Sequence, residues 1–410
     1  MSTSSRIVVV GAGHAGGTVA GLLRQYGWTG PITLVGEEPL APYQRPPLSK
    51  AWLKGEASGE SLALRPEASY AASGIELRLA TQAVAIDRAA RQVRLASGEA
   101  LDYDTLVLAL GSRLRKLPIP GASLPGVLEL RTAADADRIK AALRPGVRLA
   151  VVGGGYIGLE VAASARALGA KVTLFEREQR LLARVASPEL SQFYDRLHRA
   201  KGVEILLEAG VSALEAGPLG SIGQVALADG RRIACDVAIV GVGALANDEI
   251  AQAAGIACND GILVDLEART SDPAIFAIGD CTRRPLPHYA RLARLESVPN
   301  ALEQARQVAS VLCGKPAPAP EVPWFWSDQY DVKLQMAGMP FDVAGNVLRG
   351  DAAGHKFANF LLDAAGTIRA VEAINAPAEF MGGRQLIASR KIIDPSRLAD
   401  LAVPMKALMA

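Results

Sequence analysis

The chain has 410 residues, a length typical of about three domains, and half of its residues are hydrophobic while 21% are charged. This composition supplies apolar side chains for several packed cores, so it excludes a disordered chain and a coiled coil. The 44 basic and 42 acidic side chains leave a formal net charge of +2. This net charge is too small for the molecule as a whole to attract nucleic acid or an anionic membrane.

The first predicted elements are a strand, a glycine loop, a helix and a second strand. The apolar strand Arg6–Val10 runs into the loop Gly11-Ala12-Gly13-His14-Ala15-Gly16, and Glu37 follows the second strand, residues 32–35. In such a unit the first glycine makes a tight turn, the second lets the backbone approach a pyrophosphate, and the third lets helix and strand pack closely. The acid accepts hydrogen bonds from ribose hydroxyls, so this segment predicts a dinucleotide site.

The same pattern recurs in the middle of the chain. A strand over residues 149–152 leads into Gly153-Gly154-Gly155-Tyr156-Ile157-Gly158, and a helix and the strand Lys171–Phe175 follow, with Glu176 at the tip of that strand. One motif of this kind is a weak signal, whereas two in the same strand–helix–strand context are a strong one. The predicted fold class is α/β, with two Rossmann-like dinucleotide-binding domains.

A third element ends in a carboxylate. Residues 270–280 predict a turn, a short buried strand and then Gly279 and Asp280 before a helix. Asp280 is therefore expected at the carboxyl end of a strand, where open α/β sheets bind their ligands.

The four cysteines, Cys235, Cys258, Cys281 and Cys313, form no CxxC pair and have no zinc-ligand spacing. We therefore expect no dithiol redox site, no metal site and a reducing, cytoplasmic compartment. The apolar strand near the N-terminus leaves no room for a signal peptide. The longest apolar runs are about half of the roughly 20 residues that a membrane-spanning helix needs.

The paired glycine motifs and the late Gly279-Asp280 segment resemble the two-dinucleotide flavoprotein disulfide reductase fold. Within that fold, residues 45–50 (Arg-Pro-Pro-Leu-Ser-Lys), 296–301 and 323–329 are similar to the ferredoxin reductases of oxygenase systems. The resemblance implies an FAD-binding domain, residues 1–112 and 245–319, that is split by an inserted NAD(H)-binding domain, residues 113–244. It also implies a small α+β C-terminal interface domain, residues 320–410.

The resemblance implies the cofactor contacts as well. Those for FAD are Gly11, Gly13, His14, Ala15, Gly16, Glu37, Arg45, Lys50, Ala83, Ala109, Gly111, Arg131, Gly279, Asp280, Val298 and Trp326. Those for NAD are Gly153, Gly155, Tyr156, Ile157, Gly158, Glu160, Glu176, Gly241, Val242 and Gly243. For Trp326 the alternative is plain core packing, because Trp324 and Trp326 alternate on a predicted strand.

Lys50 and Glu160 are the predicted catalytic residues. Two prolines before Lys50 stiffen its loop, and a cation near a flavin would stabilise the charge that develops on the reduced ring. The resemblance places Lys50 beside Glu160, which follows the second glycine motif. We expect the pair to order the flavin edge and to accept the nicotinamide amide, unless Lys50 is a solvated loop lysine.

Glu176 favours NADH over NADPH. A carboxylate at the strand tip accepts from a free ribose hydroxyl and repels a 2′-phosphate. Arg177 and Arg180 argue the other way, because either could bind a phosphate.

A basic segment suggests where a protein partner docks. The segment between Cys281 and Pro320 contains six basic and two acidic residues, and it includes a predicted helix over residues 299–313. A positive patch would steer an acidic ferredoxin, and the predicted docking residues are Arg306, Trp326 and Lys333. The alternative is an ordinary solvated helix with arginines tied to cofactor phosphates.

The expected function is that of an NADH:ferredoxin oxidoreductase. Tightly but non-covalently bound FAD would take a hydride from NADH as co-substrate and pass single electrons to a 2Fe–2S ferredoxin, which supplies a monooxygenase or ring-hydroxylating dioxygenase. The alternatives are an NADH:rubredoxin reductase, an NADH oxidase and a non-enzymatic NADH-sensing scaffold. No nucleic acid and no membrane are expected as partners.

Overall fold

The structure is a computed structural model that describes residues 5–409. Its helices, in chain order, are α1 (His14–Tyr26), α2 (Ala51–Lys54), α3 (Gly59–Leu62), α4 (Glu67–Ala72), α5 (Ala133–Ala142), α6 (Tyr156–Ala167), α7 (Pro188–Ala200), α8 (Glu249–Ala253), α9 (Val298–Leu312), α10 (Pro377–Ser389), α11 (Pro395–Ala399) and α12 (Met405–Met409). Single 3-10 turns lie at Pro46–Ser49 and Gly279–Cys281. Within residues 5–409, none of these helices is both long and apolar enough to cross a membrane.

The strands of the first half are β1 (Ile7–Val10), β2 (Ile32–Val35), β3 (Ile75–Arg78), β4 (Ala83–Asp87), β5 (Gln92–Leu95), β6 (Ala100–Asp102), β7 (Thr105–Leu108), β8 (Ser112–Leu114), β9 (Val127–Leu128), β10 (Arg148–Val152), β11 (Lys171–Phe175), β12 (Glu204–Leu206) and β13 (Val211–Ala216). Those of the second half are β14 (Ile222–Leu227), β15 (Arg232–Ala234), β16 (Val237–Val240), β17 (Ala244–Ala246), β18 (Ile262–Leu263), β19 (Ile275–Ala277), β20 (Thr282–Leu286), β21 (Arg291–Arg294), β22 (Trp324–Gln329), β23 (Val332–Gly338), β24 (Gly345–Asp351), β25 (Lys356–Leu362) and β26 (Ile368–Ile374).

The chain divides into two compact units, and the first comprises the residues through Gln44, Gly59–Arg113 and Leu245–Pro323. Its main sheet is parallel and has the order β19-β7-β1-β2-β3. Alternate residues of β1 point to opposite faces of the sheet. Ile7 and Val9 pack with α1 and α9, while Val8 and Val10 belong to a second apolar core on the opposite face. Both faces of the strand are therefore buried, as its unbroken apolar sequence indicates.

The second unit comprises Arg45–Ser58, Leu114–Ala244 and the residues from Trp324 onward. It contains a parallel sheet of order β12-β11-β10-β16-β9 and an antiparallel sheet of order β22-β23-β26-β25-β24. Helix α6 packs on both β10 and β22, and α10 packs on β26. The predicted α/β class and the strand-rich C-terminal segment with its helical tail are confirmed.

The helix predicted to follow Asp280 is wrong. A single 3-10 turn leads directly into β20, in which Thr282, Arg284 and Leu286 are buried and the intervening residues are not. This two-residue alternation belongs to a strand, and Pro285 inside it lacks the N–H that a helix requires. The next helix of this unit is α9, which begins at Val298.

Candidate functional site

The glycine loop after β1 has two glycines that the protein itself requires. A Cβ built on Gly11, whose φ is +110°, would lie 2.1 Å from the Ala109 carbonyl oxygen, and one on Gly16 would lie 1.8 Å from the Gly11 carbonyl oxygen. A Cβ on Gly13 would meet no atom of the described chain within 4 Å. The chain's own packing therefore explains the first and third glycines, and the open space at the second fits a ligand that presses on the loop.

The second glycine loop follows the same division. A Cβ on Gly153 would lie 2.3 Å from the Gly241 oxygen and one on Gly158 would lie 2.2 Å from the Gly153 oxygen, whereas Gly155 faces open space among the described residues. The side chain of Ile157, the second residue of α6, is half exposed, as expected of a residue that a ligand covers.

Helices α1 and α6 each begin without a side-chain cap among the described residues, because their N-cap positions are Gly13 and Gly155. The first N–H groups of both helices consequently have no intrahelical partner and carry the positive end of the helix dipole. Together with the open glycines, these N–H groups fit two dinucleotide pyrophosphates.

Glu176 lies directly against the second glycine loop. Its Oε2 accepts from the backbone N–H of Gly154 at 2.7 Å, and its Oε1 accepts from the N–H of Glu178 at 2.9 Å. The carboxylate is therefore oriented at the strand tip, where a ribose would lie.

In the first unit, the acid after the second strand of the motif stands one residue further from the strand than Glu176 does in the second unit. The N–H of Gly11 donates to the Val35 oxygen just as that of Gly153 donates to the Phe175 oxygen, each at 2.8 Å, so Gly36 matches Glu176. A Cβ at Gly36 would lie 2.5 Å from that of Ala12, which leaves no room for an acid there. Glu37 is exposed, and Glu38 accepts from the Tyr43 hydroxyl at 2.6 Å.

Gly279 and Asp280 lie at the start of α1. A Cβ on Gly279, whose φ is +81°, would lie 3.2 Å from that of Ala15. The Gly279 N–H donates to the buried Gln304 Oε1 at 2.8 Å, and the Ser112 hydroxyl is 3.4 Å from the Asp280 carboxylate. The first unit thus places Gly279 against the start of α1, with Asp280 next to it beyond the end of β19, and Gln304 in α9 holds the segment there.

Further candidates belong to the first unit. Ala109 follows β7 and is buried against the loop, Ala83 begins β4, and Val298 begins α9, the last two being half-buried. The Gly111 oxygen accepts from the Asn247 N–H at 3.0 Å, and the Asn247 amide donates to the Leu110 oxygen at 2.9 Å.

Lys50 and Glu160 meet in the second unit. Glu160 is buried in α6 with 3% exposure, and the Lys50 Nζ lies 2.6 Å from its Oε2. The Ser49 hydroxyl donates to the same oxygen at 2.5 Å, and the Ser327 hydroxyl donates to Oε1 at 2.6 Å. A buried carboxylate needs such partners to stay ionised, so the pair is a fixed part of the structure and Lys50 is no free loop lysine.

The 3-10 turn Pro46–Ser49 delivers Lys50 to this position. Its prolines restrict the backbone, and the Ser164 hydroxyl of α6 donates to the Ser49 oxygen at 2.7 Å. Glu160 and Ser164 lie one helical turn apart on the buried face of α6. Two polar side chains on an otherwise apolar helix face are a sequence signal that polar partners, such as Ser49, lie opposite that face.

Three more candidates of the second unit have contacts within that unit. The Arg45 guanidinium donates to the Arg131 oxygen at 2.6 Å. The Tyr156 ring lies 4.9 Å from that of Phe325, and its hydroxyl contacts the Met336 sulfur at 3.0 Å. The side chain of Tyr156 is thus used in packing, which leaves its backbone N–H as the group for a phosphate.

Trp324 and Trp326 are both half-buried on one face of β22, with ring centroids 5.8 Å apart. Trp324 also packs on Phe380 and lies under the Arg384 guanidinium. Trp324 is consequently the residue of the pair that serves local packing.

The predicted basic segment needs one correction, because Arg284 is not at the surface. Arg284 is buried and forms an ion pair with Glu303 at 2.9 Å. Of the other five basic residues, Arg291 and Lys315 are exposed, whereas Arg283, Arg294 and Arg306 are half-buried, and Arg294 is ion-paired with Glu296. Arg306 projects from α9 toward Glu321, and in the other unit Lys333 is exposed on β23.

The four cysteines are free, and burial raises the pKa of each thiol. For the fully buried Cys281 the pKa is raised to about 12. The raised pKa values disfavour the thiolate, which is the reactive form of cysteine.

The two kinds of glycine predict two different defects. Gly13→Ala should fold normally but lose bound dinucleotide, because its Cβ projects into the open space of the loop. Gly16→Ala should instead lower the melting temperature of the protein, because its Cβ collides with the backbone. Thermal unfolding of the flavin-free variants and the flavin absorbance of the purified proteins check this, and equal melting temperatures for the two flavin-free variants would contradict it.

The comparisons with known proteins agree with this geometry. The family described as Pyridine nucleotide-disulphide oxidoreductase matches residues 5–305, and that described as Reductase C-terminal matches residues 324–409. The chain is 49% identical to Probable ferredoxin reductase CtmF of Castellaniella defragrans, with 100% of both chains covered. It is 44% identical to putidaredoxin reductase of Pseudomonas putida, over 100% of this chain and 98% of the relative.

Among solved structures, the crystal structure of the covalent putidaredoxin reductase–putidaredoxin complex is similar with a TM-score of 0.96 and 44% identity, covering 99% of this chain and 98% of that one. The similarity extends through both glycine loops, the Lys50 turn and the C-terminal sheet. The chain belongs to the pyridine nucleotide-disulphide oxidoreductase family.

Proposed function

We propose that the protein is an NADH-dependent ferredoxin reductase that serves a monooxygenase or a ring-hydroxylating dioxygenase through a 2Fe–2S ferredoxin. The observation that carries the proposal is a Lys50–Glu160 ion pair, instead of a dithiol, in a chain with two dinucleotide loops. Relatives that reduce disulfides need an adjacent cysteine pair, whereas the four cysteines here are free and form no CxxC pair in the sequence. Electrons therefore leave for a partner protein without passing through a thiol.

FAD, when bound, connects two-electron hydride donation to one-electron acceptance. The residues of the chain supply binding and electrostatics. The loop of Gly153 and the start of α6 hold the pyrophosphate of NADH, and Glu176 accepts from its adenosine ribose. Glu160 accepts from the nicotinamide carboxamide, and its carboxylate stabilises the positive charge that the nicotinamide acquires as hydride leaves. Lys50 balances the charge of the Glu160 carboxylate through their ion pair.

The assignments of Arg45, Lys50, Arg131 and Trp326 to FAD and of Arg306, Trp326 and Lys333 to ferredoxin docking are part of this proposal. So is a cytoplasmic location, which the four free cysteines favour. The net positive segment around Arg306 favours an acidic partner.

The first test of the function is NADH-driven reduction of a panel of 2Fe–2S ferredoxins by the purified flavoprotein. We expect multiple turnovers that depend on ferredoxin and slow down as salt rises, because docking between opposite charges is screened. An NADH oxidase would consume NADH without ferredoxin, and a sensor would stop after one reduction. Either result contradicts the proposal, as does faster reduction of rubredoxin than of every ferredoxin.

Lys50 has its own test. Lys50→Met should slow the single-turnover reduction of the flavin by NADH about tenfold or more, because a partner of a buried carboxylate is lost. Stopped-flow absorbance at saturating NADH measures this rate. Lys54→Met, which removes a lysine that pairs with the exposed Glu56, is the matched control and should leave the rate unchanged. Equal rates for the two variants would remove Lys50 from the reaction.

The preference for NADH follows from how the nearby arginines are used. The Arg180 guanidinium donates to the Ala183 and Ala186 oxygens at 2.9 and 2.8 Å and to the Ser191 hydroxyl at 2.6 Å. Arg177 pairs with Glu178 at 3.0 Å. Arg180 is thus held by its own unit, and the carboxylate of Glu176 is the charge at the strand tip.

Glu176→Gln should therefore raise the ratio of kcat/KM for NADPH to that for NADH about tenfold, because it removes a negative charge but keeps the side chain's shape and its acceptor oxygen. Glu178→Gln removes a neighbouring charge and is the control, expected to change the ratio little. Steady-state kinetics with both nucleotides checks this, and an unchanged ratio in Glu176→Gln would contradict the assignment.

A further inference from the structure

A continuous line of hydrogen bonds leads away from the Glu160 carboxylate. The Ser327 hydroxyl donates to Glu160 Oε1 at 2.6 Å, and the Gln329 amide Nε2 donates to the Ser327 oxygen at 3.1 Å. The Gln329 Oε1 lies 2.8 Å from His198 Nε2, and the Tyr330 hydroxyl lies 3.2 Å from His198 Nδ1. Ser327, Gln329 and His198 are all buried.

Three elements of the second unit contribute to this line. Glu160 comes from α6 and His198 from α7, while Ser327 and Gln329 are two residues apart and so lie on one face of β22. Tyr330 follows β22 in the turn to β23, with a φ of +56°. The line therefore depends on the tertiary packing of segments that lie more than 100 residues apart.

The ionised Glu160 determines every donor in the line. A serine hydroxyl has one hydrogen, and because Glu160 can only accept, Ser327 must give that hydrogen to it. The Ser327 oxygen must then receive from the amide nitrogen of Gln329, so the amide oxygen faces His198 and accepts from its Nε2. Burial lowers the pKa of His198 to about 4, so the ring is neutral at neutral pH; Nε2 then carries the hydrogen and Nδ1 can accept from the Tyr330 hydroxyl.

We propose that Ser327, supported by Gln329 and His198, is a positioning residue that holds the Glu160 carboxylate in the orientation that receives the nicotinamide carboxamide. Ser49 and Lys50 both occupy Oε2, so the Ser327 hydroxyl is the bond that holds Oε1. An amide between His198 and Ser327 does not readily pass a proton along, so the line orients the carboxylate and does not conduct protons. The inference rests on the proposed use of Glu160 by NADH.

The test separates the nicotinamide from the rest of the cofactor. NAD⁺ and ADP-ribose share the adenosine, both riboses and the pyrophosphate, but only NAD⁺ has the nicotinamide. Isothermal titration calorimetry of the FAD-loaded protein gives the ratio of the two affinities. We expect Ser327→Ala to lower the affinity for NAD⁺ about tenfold while the affinity for ADP-ribose stays unchanged, because a hydrogen bond to a charged group is lost.

Ser327→Thr keeps the hydroxyl and should restore the ratio. Gln329→Met leaves Ser327 in place but removes its donor, so it should shift the ratio in the same direction as Ser327→Ala and serves if the alanine variant unfolds. Ser310→Ala removes a buried serine hydroxyl from α9 in the other unit and is the matched control.

The rate of flavin reduction by NADH distinguishes failure of the positioning role of Ser327 from failure of the proposed function. We expect the rate at saturating NADH to fall in Ser327→Ala and to recover in Ser327→Thr. A wild-type protein that NADH does not reduce would defeat the proposed function itself. An active wild type whose Ser327→Ala and Gln329→Met variants match Ser310→Ala in both affinity ratio and rate would overturn the positioning role alone.

Discussion

The buried charge of Glu160 sets the main requirement that the second unit meets. A carboxylate taken out of water is costly unless several donors compensate it, and α6 itself supplies none of them. Ser49 and Lys50 come from the segment before residues 114–244, and Ser327 comes from the C-terminal sheet. These contacts help to explain why residues 45–58, 114–244 and those after 324 form one compact unit.

A second buried carboxylate joins the same segments. Glu372 of β26 accepts from the backbone N–H of Ser187 at 2.8 Å and from its hydroxyl at the start of α7. Burial raises the pKa of Glu372, and the bonds from Ser187 and Asn359 oppose that shift. Since α7 also supplies His198, this helix contacts the C-terminal sheet both at Glu372 and at Gln329.

The two glycine loops illustrate how one motif answers two different demands. In each loop the first and third glycines avoid collisions with backbone oxygens of the chain, whereas the middle glycine faces open space. The first and third glycines are therefore needed for folding, whereas the middle glycine is needed for the ligand. The same steric argument explains why the acid of the first unit stands one residue later, since Ala12 leaves no room for a side chain at Gly36.

The sequence by itself determined the α/β class, the two dinucleotide loops and the isolation of the cysteines, because these depend on local periodicity and on residue types at short spacing. Resemblance added the family, which the comparisons confirm, and the Lys50–Glu160 pairing, which the structure shows as an ion pair. The division into three domains and the roles of the site residues stay predictions. Only the tertiary structure showed that Arg284 is buried against Glu303, that a strand follows Asp280, and that Ser49, Ser327 and Gln329 surround Glu160. The physical reason is that burial and hydrogen-bond partners are set by segments far apart in the chain, which no local pattern of residues encodes.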